Sequence, residues 1–582
     1  MKKIIYIFSL IGVFIISGCS EDILDKKPLD QFSDVDFWKD PNLAIAAINQ
    51  LYTYTWPDDS FHDWESYTPN AIDGGTGWAH SHAFTQKYWT ATDASSERAK
   101  MWSMDVNPIH GWSWVDETNT TWKVIYREIR ACNVAIYNIS QVPNRSEELE
   151  VLLAEAKFMR AYCYHRFTRF YGAAIILDKP LGLNDNVNLP RNTYNECVDF
   201  MVKDLSEAES ILPDKREGNN IGRATRGAAI ALKGRILLYG ERWADAATEY
   251  NKIMDGTYSL FQDYKTLFYE ENENNQEIVL DMQCKYPEFA FIGNAQCLSI
   301  TQNGWSAGNP TQNLVDMYEL LDGKAWDDPT SIYYNPADPY TNRDKRFYGT
   351  VQYDQGVYFG KRLETGRGPD ENGLDILGAD IANTTQRTAT SYYLCKGIDT
   401  RGELAYSYGG TEKSGTNIPL IRYAEVLLGF AEAENEASGP VQSVYDAVNE
   451  VRARAGLPSL SGLSKDEMRI KIRKERQVEL AFEYMNYYDC LRWKDRNLFT
   501  QDAMTANILY EYELDPSTGE VMIDETNRKL IKSRTFSYSA YFEKRIFNFD
   551  TEFDWFFPIP QSEIDRNPLL VQNGEFQGNN KK

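Results

Sequence analysis

Apolar residues recur at steps of three or four across the segment 121–255, and this period constrains the fold more than any other feature. The recurring positions fall into three stripes: Trp122, Ile125, Ile129, Cys132, Ile136 and Ile139; Leu152, Ala156, Met159, Cys163, Phe167 and Phe170; and Val198, Met201, Leu205, Ala208 and Leu212. Each stripe is one apolar face of an amphipathic helix, because a helical turn takes 3.6 residues. The stripes stop at Pro143, Gly172 and Pro213, so they predict three successive helices.

The segment 228–253 resembles a tetratricopeptide repeat. Small Gly234 and a turn at Gly240 are followed at helical spacing by Trp243 and Tyr250. Helix pairs of this kind stack on one another, since a single pair cannot bury its own apolar face. A second repeat-like pair is predicted over 420–436 and 441–455, within a helical region that begins at Ile418.

A long helix is predicted to follow that second pair. Ser464 and Glu467 have the spacing of a capping box, in which each residue satisfies a free backbone N–H of the other. The helix is expected to start there and to run through Tyr487.

Strand and turn patterns replace the helical period between about 258 and 416. Apolar residues alternate with others from Ile278 to Cys284, which is the period of a strand. The segment 347–359 is interpreted as a hairpin that turns at 354–356. We therefore predict a mainly α protein, in which repeat-like helix pairs pack against a loop-rich half with short β-strands and hairpins.

The first nineteen residues have the form of a lipoprotein signal. Lys2 and Lys3 precede an apolar run that is too short to cross a bilayer, which takes about 20 residues. The run ends in Ile16-Ser17-Gly18-Cys19, which resembles the bacterial lipobox. Residues 1–18 are thus predicted to be a signal peptide, and Cys19 is predicted to be acylated and to anchor the chain in outer-membrane lipid.

The acidic surface excludes one class of partner. The formal net charge of −24 repels the phosphate backbone of nucleic acids, so no nucleic-acid partner is expected. The cysteines are irregularly spaced and indicate neither a disulfide framework nor a zinc site. His80, His82 and His110 lack an obvious acidic partner, so no metal or cofactor is predicted.

Motifs of catalysis are missing from the sequence. The chain contains no Gly-x-Ser-x-Gly elbow, no phosphate loop and no His-Glu-x-x-His pair. Glycoside hydrolysis needs two carboxylates at a set separation. Acidic pairs such as Asp327 and Asp328 are expected by chance among 85 acidic residues, and we interpret them as solvated surface.

Tryptophan is concentrated where helical periodicity fails. Seven of the 14 tryptophans lie between Trp56 and Trp114, in a segment rich in Asp, Gly, Thr and Ser. The C–H face of a pyranose lies flat on an aromatic ring, and its hydroxyl rim needs polar side chains. The sequence therefore predicts a glycan site, or else packing of these rings beneath loops. The candidate site residues are Trp78 and Trp305 as platforms, Asp73 as a polar contact, and Trp89, Trp102 and Trp326 as further platforms.

A series of segments resembles the signatures of the SusD/RagB family of outer-membrane nutrient-binding lipoproteins. The segments follow the order of the family along nearly the whole mature chain. They are 122–133 (WKVIYREIRACN), 155–172 (EAKFMRAYCYHRFTRFYG), 310–319 (PTQNLVDMYE), 418–436 (IPLIRYAEVLLGFAEAENE), 445–458 (YDAVNEVRARAGLP), 475–493 and 557–573 (FPIPQSEIDRNPLLVQN).

The resemblance implies a single SusD-like unit over 19–582. Its parts are expected to be an N-terminal half over 19–260, a variable loop and strand region over 261–416, and a C-terminal part over 417–582. It also implies an outer-surface location, a glycan ligand and a SusC-type TonB-dependent outer-membrane barrel as partner.

No enzymatic activity is expected from a protein of this family. The sequence leaves three alternatives open: a peptide-capturing relative of RagB, a surface glycoside hydrolase or lyase, and a structural or adhesive surface protein. The glycan cannot be named from the sequence, because loop aromatics define a pocket only after folding.

Overall fold

The computed structural model describes residues 34–55, 85–86, 121–285, 298–304, 309–382, 388, 390–401, 415–483, 485–495, 503–542, 555–556 and 559–574. Helices dominate this part of the chain, which confirms the predicted fold class. They are α1 (Asp34–Lys39), α2 (Pro41–Thr55), α3 (Thr121–Ser140), α4 (Glu147–Tyr171), α5 (Tyr194–Glu209), α6 (Arg226–Tyr239), α7 (Trp243–Asn251), α8 (Gln312–Met317), α9 (Lys345–Thr350), α10 (Tyr423–Ser438), α11 (Gln442–Ala455), α12 (Lys465–Glu479), α13 (Asn486–Trp493) and α14 (Gln561–Arg566).

Most of the strands are short, and one long hairpin is the exception. The strands are β1 (Thr85–Gln86), β2 (Ile278–Met282), β3 (Asn309–Pro310), β4 (Val351–Gln352), β5 (Val357–Tyr358), β6 (Lys361–Arg362), β7 (Arg367–Pro369), β8 (Asp375–Leu377), β9 (Tyr393–Leu394), β10 (Ile418–Arg422), β11 (Ala503–Tyr512) and β12 (Ile531–Phe542). Among the described residues the largest sheet has the order β12-β11-β7-β8, with β12 at one edge.

The helices stack in sequence, as the repeat pattern predicts. Each helix from α3 to α7 packs on the next, α7 packs on α10, and α10 packs on both α11 and α12. The apolar stripes face one continuous core, and Cys132 and Cys163 are buried in it. Ser146 caps α4, and the capping box of Ser464 and Glu467 opens α12 as predicted.

Tyr250 is held between two helices at the centre of this stack. A Cβ atom on Gly234 of α6 would lie 2.7 Å from the ring of Tyr250, and a Cβ on Gly429 of α10 would also lie 2.7 Å from it. Both distances are shorter than a van der Waals contact. Glycine at these two positions therefore lets three helices approach one aromatic ring.

Replacement of Gly234 by Ala should destabilise the fold. A Gly→Ala change inside a helix ordinarily gains about 1 kcal/mol, but overpacking a core costs about 1–3 kcal/mol. We expect a net loss of about 1 kcal/mol, measured as a lower urea midpoint. In a Tyr250→Leu background the same change should become neutral or favourable, and an unrelieved loss there would contradict the proposed clash.

The predicted helix from residue 420 is wrong at its start. Ile418–Arg422 forms strand β10, which pairs antiparallel with β2, and α10 begins only at Tyr423. Pro419 disfavours helical backbone only at Ile418, and residues 420–422 are extended because they pair with β2. The strand predicted near Ile278 is confirmed by the same pairing.

Two other boundaries also differ from the sequence predictions. The hairpin turns at Phe359 and Gly360, which both have positive φ, and joins β5 to β6; the predicted tip residue Asp354 is buried instead. Helix α12 ends at Glu479 and does not reach Tyr487, and the buried side chains of Lys396 and Arg422 donate to the free carbonyl of Glu479.

A buried ion-pair network joins the loop-rich region to the helical stack. Its centre is Glu479 of α12, which is fully buried and contacts Arg346 at 3.2 Å, Arg422 at 2.6 Å and also Arg454. Burial opposes ionisation of Glu479, but Arg454, Arg422 and Arg346 outweigh it and hold its pKa well below the ordinary value. One carboxylate on α12 therefore links that helix to α9, β10 and α11.

Candidate functional site

Trp326 lies half-buried on the loop-rich side, with its ring packed edge-on against Tyr538. The ring centroids are 5.3 Å apart and the planes meet at 69°. Part of the indole is exposed, and the exposed ring of Tyr334 lies near enough to Tyr538 to contribute to the rise in its pKa. We call Trp326, Tyr334, Phe536 and Tyr538 the Trp326 face.

Strand β12 supplies Phe536 and Tyr538 because its side chains alternate. Residues at every second position point to one side of a strand, and here Arg534, Phe536 and Tyr538 are half-buried while Thr535 and Ser537 are exposed. On the neighbouring strand β11, Ala506 lies opposite Tyr538 and Ile508 lies opposite Phe536. The two aromatic rings are thus fixed by a regular hairpin.

Arg343 fixes the loop that carries Trp326. Its buried guanidinium donates to the backbone carbonyls of Pro339 at 2.7 Å, Tyr318 at 2.9 Å and Val315. It also lies 5.8 Å from the centroid of the Trp326 ring, within range of a cation–π interaction. One side chain therefore joins both ends of the loop and supports the indole.

Asp316 of α8 is the polar group next to the Trp326 ring. Gln312 donates to it at 2.6 Å, and the side chain of Trp326 lies close enough to lower its pKa slightly. Burial raises the pKa of Asp316 to about 6, and the charge of Asp327 adds to the rise. Burial also raises the pKa of Tyr538 to about 12, with Asp316 and Asp327 contributing.

The raised pKa of Asp316 predicts that its carboxylate lowers the free energy of unfolding at high pH. A carboxyl whose folded-state pKa exceeds its unfolded value stabilises the fold below the unfolded value, near 4, and loses that contribution as pH rises through about 6. Asp316→Asn should therefore raise the free energy of unfolding at pH 8 by about 1 kcal/mol and leave it unchanged at pH 4. Urea titrations at both pH values measure this difference.

A matched control for this substitution exists on α11. There Gln442 donates to the exposed carboxylate of Asp446 at 2.8 Å, with the same four-residue spacing. Asp446→Asn should show no difference between pH 4 and pH 8. An equal pH effect in the two variants would contradict the role assigned to burial at Asp316.

The geometry of the Trp326 face suits binding. It combines part-exposed rings with carboxylates that can accept hydrogen bonds, which are the parts a sugar needs. A nucleophile paired with a base is absent from the described part of this face. Throughout the described ranges no group of three or more His, Cys, Asp or Glu side chains is arranged as a metal site.

Trp326 is the one predicted site residue that the structure describes. The other calls on ligand contacts and on the anchor, namely Asp73, Trp78, Trp89, Trp102, Trp305 and Cys19, lie outside the described residues, as do His80, His82 and His110. They stay predictions, and so do the domain boundaries. Asp327, interpreted as solvated surface, is exposed, but its charge reaches both Asp316 and Tyr538.

Sequence reasoning missed Tyr538, Phe536 and Asp316. The sequence pattern predicts a strand with one aromatic side, because Arg534, Phe536 and Tyr538 alternate with Thr and Ser. This pattern could have identified the strand. Nothing in the sequence places this strand beside Trp326, more than two hundred residues earlier. Asp316 belongs to a family-like segment but has no motif of its own.

The fold and the Trp326 face define a class: a helical-repeat scaffold that presents an aromatic surface from its loop-rich side. A sequence model of the SusD family matches residues 242–576, more than half of the chain. A second family model, described as starch-binding and associating with the outer membrane, matches residues 67–238. The chain belongs to the SusD family.

Individual relatives agree with this assignment. A SusD-like protein of Bacteroides ovatus is 23% identical over 95% of this chain and 94% of its own length. A crystal structure of a SusD-like protein from Bacteroides fragilis is 27% identical and covers 95% of this chain and 100% of its own, with a TM-score of 0.71. A SusD-like carbohydrate-binding protein from the same species is 24% identical over 92% and 100%, with a TM-score of 0.70.

One observation bears on the membrane. Among the residues that the structure describes, no helix combines the length and the apolar character that crossing a bilayer requires.

Proposed function

We propose that this protein captures glycan at the outer surface of the cell and does so without catalysis. The observation that carries the proposal is the Trp326 face, where a part-exposed indole is held edge-on by Tyr538 and lies beside the carboxylate of Asp316. The family description of starch binding and the carbohydrate-binding relative support a sugar ligand.

The physical basis is stacking combined with hydrogen bonding. A ring that is already fixed by its neighbours loses little side-chain entropy when a sugar packs on it. Asp316 and Asp327 offer acceptors for sugar hydroxyls at the edge of the ring. The same proposal assigns Trp78, Trp89, Trp102 and Trp305 as further platforms and Asp73 as a further polar contact.

Affinity electrophoresis of the chain from residue 21 onward tests the ligand class. Native gels cast with starch, hemicelluloses, pectins or host glycans should retard the protein in at least one case. Retardation by none of these, together with binding of peptides in calorimetry, would replace the proposal with the peptide-capturing alternative.

The location and partner form a separate part of the proposal. Acylation of Cys19 would hold the protein at the outer membrane beside a SusC-type TonB-dependent barrel, into which it would deliver its ligand. The family description of outer-membrane association supports this location. Co-purification of a barrel with the tagged full-length protein tests the partner.

Replacement of Cys19 by Ala should release the protein from the membrane. Acyl chains contribute about 0.8 kcal/mol for each buried CH₂ group, so their loss removes the anchor. We expect the wild type to incorporate labelled palmitate and to sediment with membranes, whereas Cys19→Ala does neither. Labelling of the Cys19→Ala variant, or no labelling of the wild type, would contradict the anchor.

A further inference from the structure

We infer that the Trp326 face selects neutral glycans and rejects polyanionic ones, such as those that bear uronates or sulfates. The inference rests on the proposed function and adds the class of glycan. It depends on which charges at this face are available to a ligand, and which are already engaged.

The charged side chains of the Trp326 face that a ligand can reach are acidic. Between residues 316 and 338 the chain carries six acidic side chains and only one lysine. Asp327 is exposed and Asp316 is half-buried, whereas Asp338 pairs with Arg534 at 3.0 Å. Glu319 is buried and pairs with Arg452 at 3.0 Å, so it is not available to a ligand. A ligand on Trp326 therefore meets carboxylates first.

The positive charges near this face are engaged within the described part of the chain. Arg343 is buried and donates to backbone carbonyls. Arg534 pairs with Asp338 at 3.0 Å and with buried Asp354 at 3.3 Å. Lys324 donates to the carbonyl and hydroxyl oxygens of Thr330 at 2.9 and 3.0 Å. Each of these cations would have to give up a partner to bind an anion.

An anionic sugar would need one of those cations. Carboxylates and sulfates are recognised by guanidinium groups that present two free N–H donors in parallel. Without such a group, a uronate stacked on Trp326 lies within a Debye length of Asp316 and Asp327, where repulsion is only partly screened. A neutral pyranose meets no such repulsion and gains the same stacking contact.

A matched pair of ligands tests the inference. The neutral polysaccharide that retards the protein is oxidised at its primary hydroxyls to give the uronate form, and part of that product is methyl-esterified to restore neutrality. At low salt we expect binding of the uronate form to be at least about tenfold weaker than binding of the neutral form, with the ester close to the neutral form. The difference should shrink at high salt.

Charge reversal assigns the effect to this face. Asp327→Lys should recover most of the binding of the uronate form, whereas Asp446→Lys on α11 should not. Equal recovery in both variants, or none in Asp327→Lys, would overturn the assignment to the Trp326 face.

The outcomes separate this inference from the proposed function. Equal or tighter binding of the uronate form by the wild type overturns the inference and leaves glycan capture standing. If the protein binds acidic polysaccharides and no neutral ones, the inference is likewise overturned and glycan capture still stands. Failure to bind any polysaccharide overturns the proposed function, and the inference falls with it.

Discussion

Replacement of Glu479 by Gln is expected to cost about 3–5 kcal/mol of folding free energy, which is typical when one partner of a buried ion pair is removed. The carboxylate contacts Arg346, Arg422 and Arg454, and all three guanidinium groups are buried. Gln keeps the shape of the side chain but removes the charge. Three buried cations would then share the remaining acids of the network, and the urea midpoint should fall accordingly.

The control for this variant is Glu217→Gln, because Glu217 is an exposed residue of similar chemistry. That change should stay within about 0.5 kcal/mol of the wild type. The effect at Glu479 should also depend on pH. Because its folded-state pKa is depressed, its contribution is present above the unfolded value and is lost as pH falls through the folded value. A loss no larger than that of Glu217→Gln would contradict the role of Glu479.

Replacement of Trp326 by Ala should weaken glycan binding by about 10- to 100-fold, the range found when a central aromatic anchor is truncated. The change removes the part-exposed ring on which the sugar is proposed to stack. Trp326→Phe restores a ring without the N–H donor and should recover most of the affinity. Calorimetric titration with the same glycan measures all three proteins.

Two controls separate binding from folding. Tyr137 is an exposed ring on α3, distant in sequence from the Trp326 face, and Tyr137→Ala should bind as the wild type does. Circular dichroism should show unchanged helix content in every variant. Wild-type affinity in a folded Trp326→Ala protein would mean that the platform lies elsewhere, with Trp78 and Trp305 as the remaining first choices.

The helical part of the fold was predictable because its signals are local. The stripes ending at Pro143 and Gly172 correspond to α3 and α4, and the capping box at Ser464 opens α12. The predicted boundaries were wrong where a segment contacts backbone or side chains that are distant in the sequence. Strand β10 forms because β2 supplies its hydrogen bonds, and α12 ends at Glu479, where Lys396 and Arg422 from other segments donate to the carbonyl.

The site was predictable only in kind. A tryptophan among Asp, Gly and Pro residues indicated a ring outside the helical core, and Trp326 is part-exposed. Its neighbours Asp316 and Tyr538 come from a short helix and an edge strand that meet only in the folded chain. The sequence also could not show that Arg343 donates to backbone carbonyls and is therefore not available to bind a ligand.

The central claim is that the protein holds a glycan and leaves every bond of it intact. Its most direct test is a calorimetric titration of the chain from residue 21 with the oligosaccharide chosen by electrophoresis, followed by chromatography of the same sample after a day. Saturable heat with the oligosaccharide recovered at its original length is the predicted result. Shortened products, or no heat with any glycan of the panel, would contradict the claim.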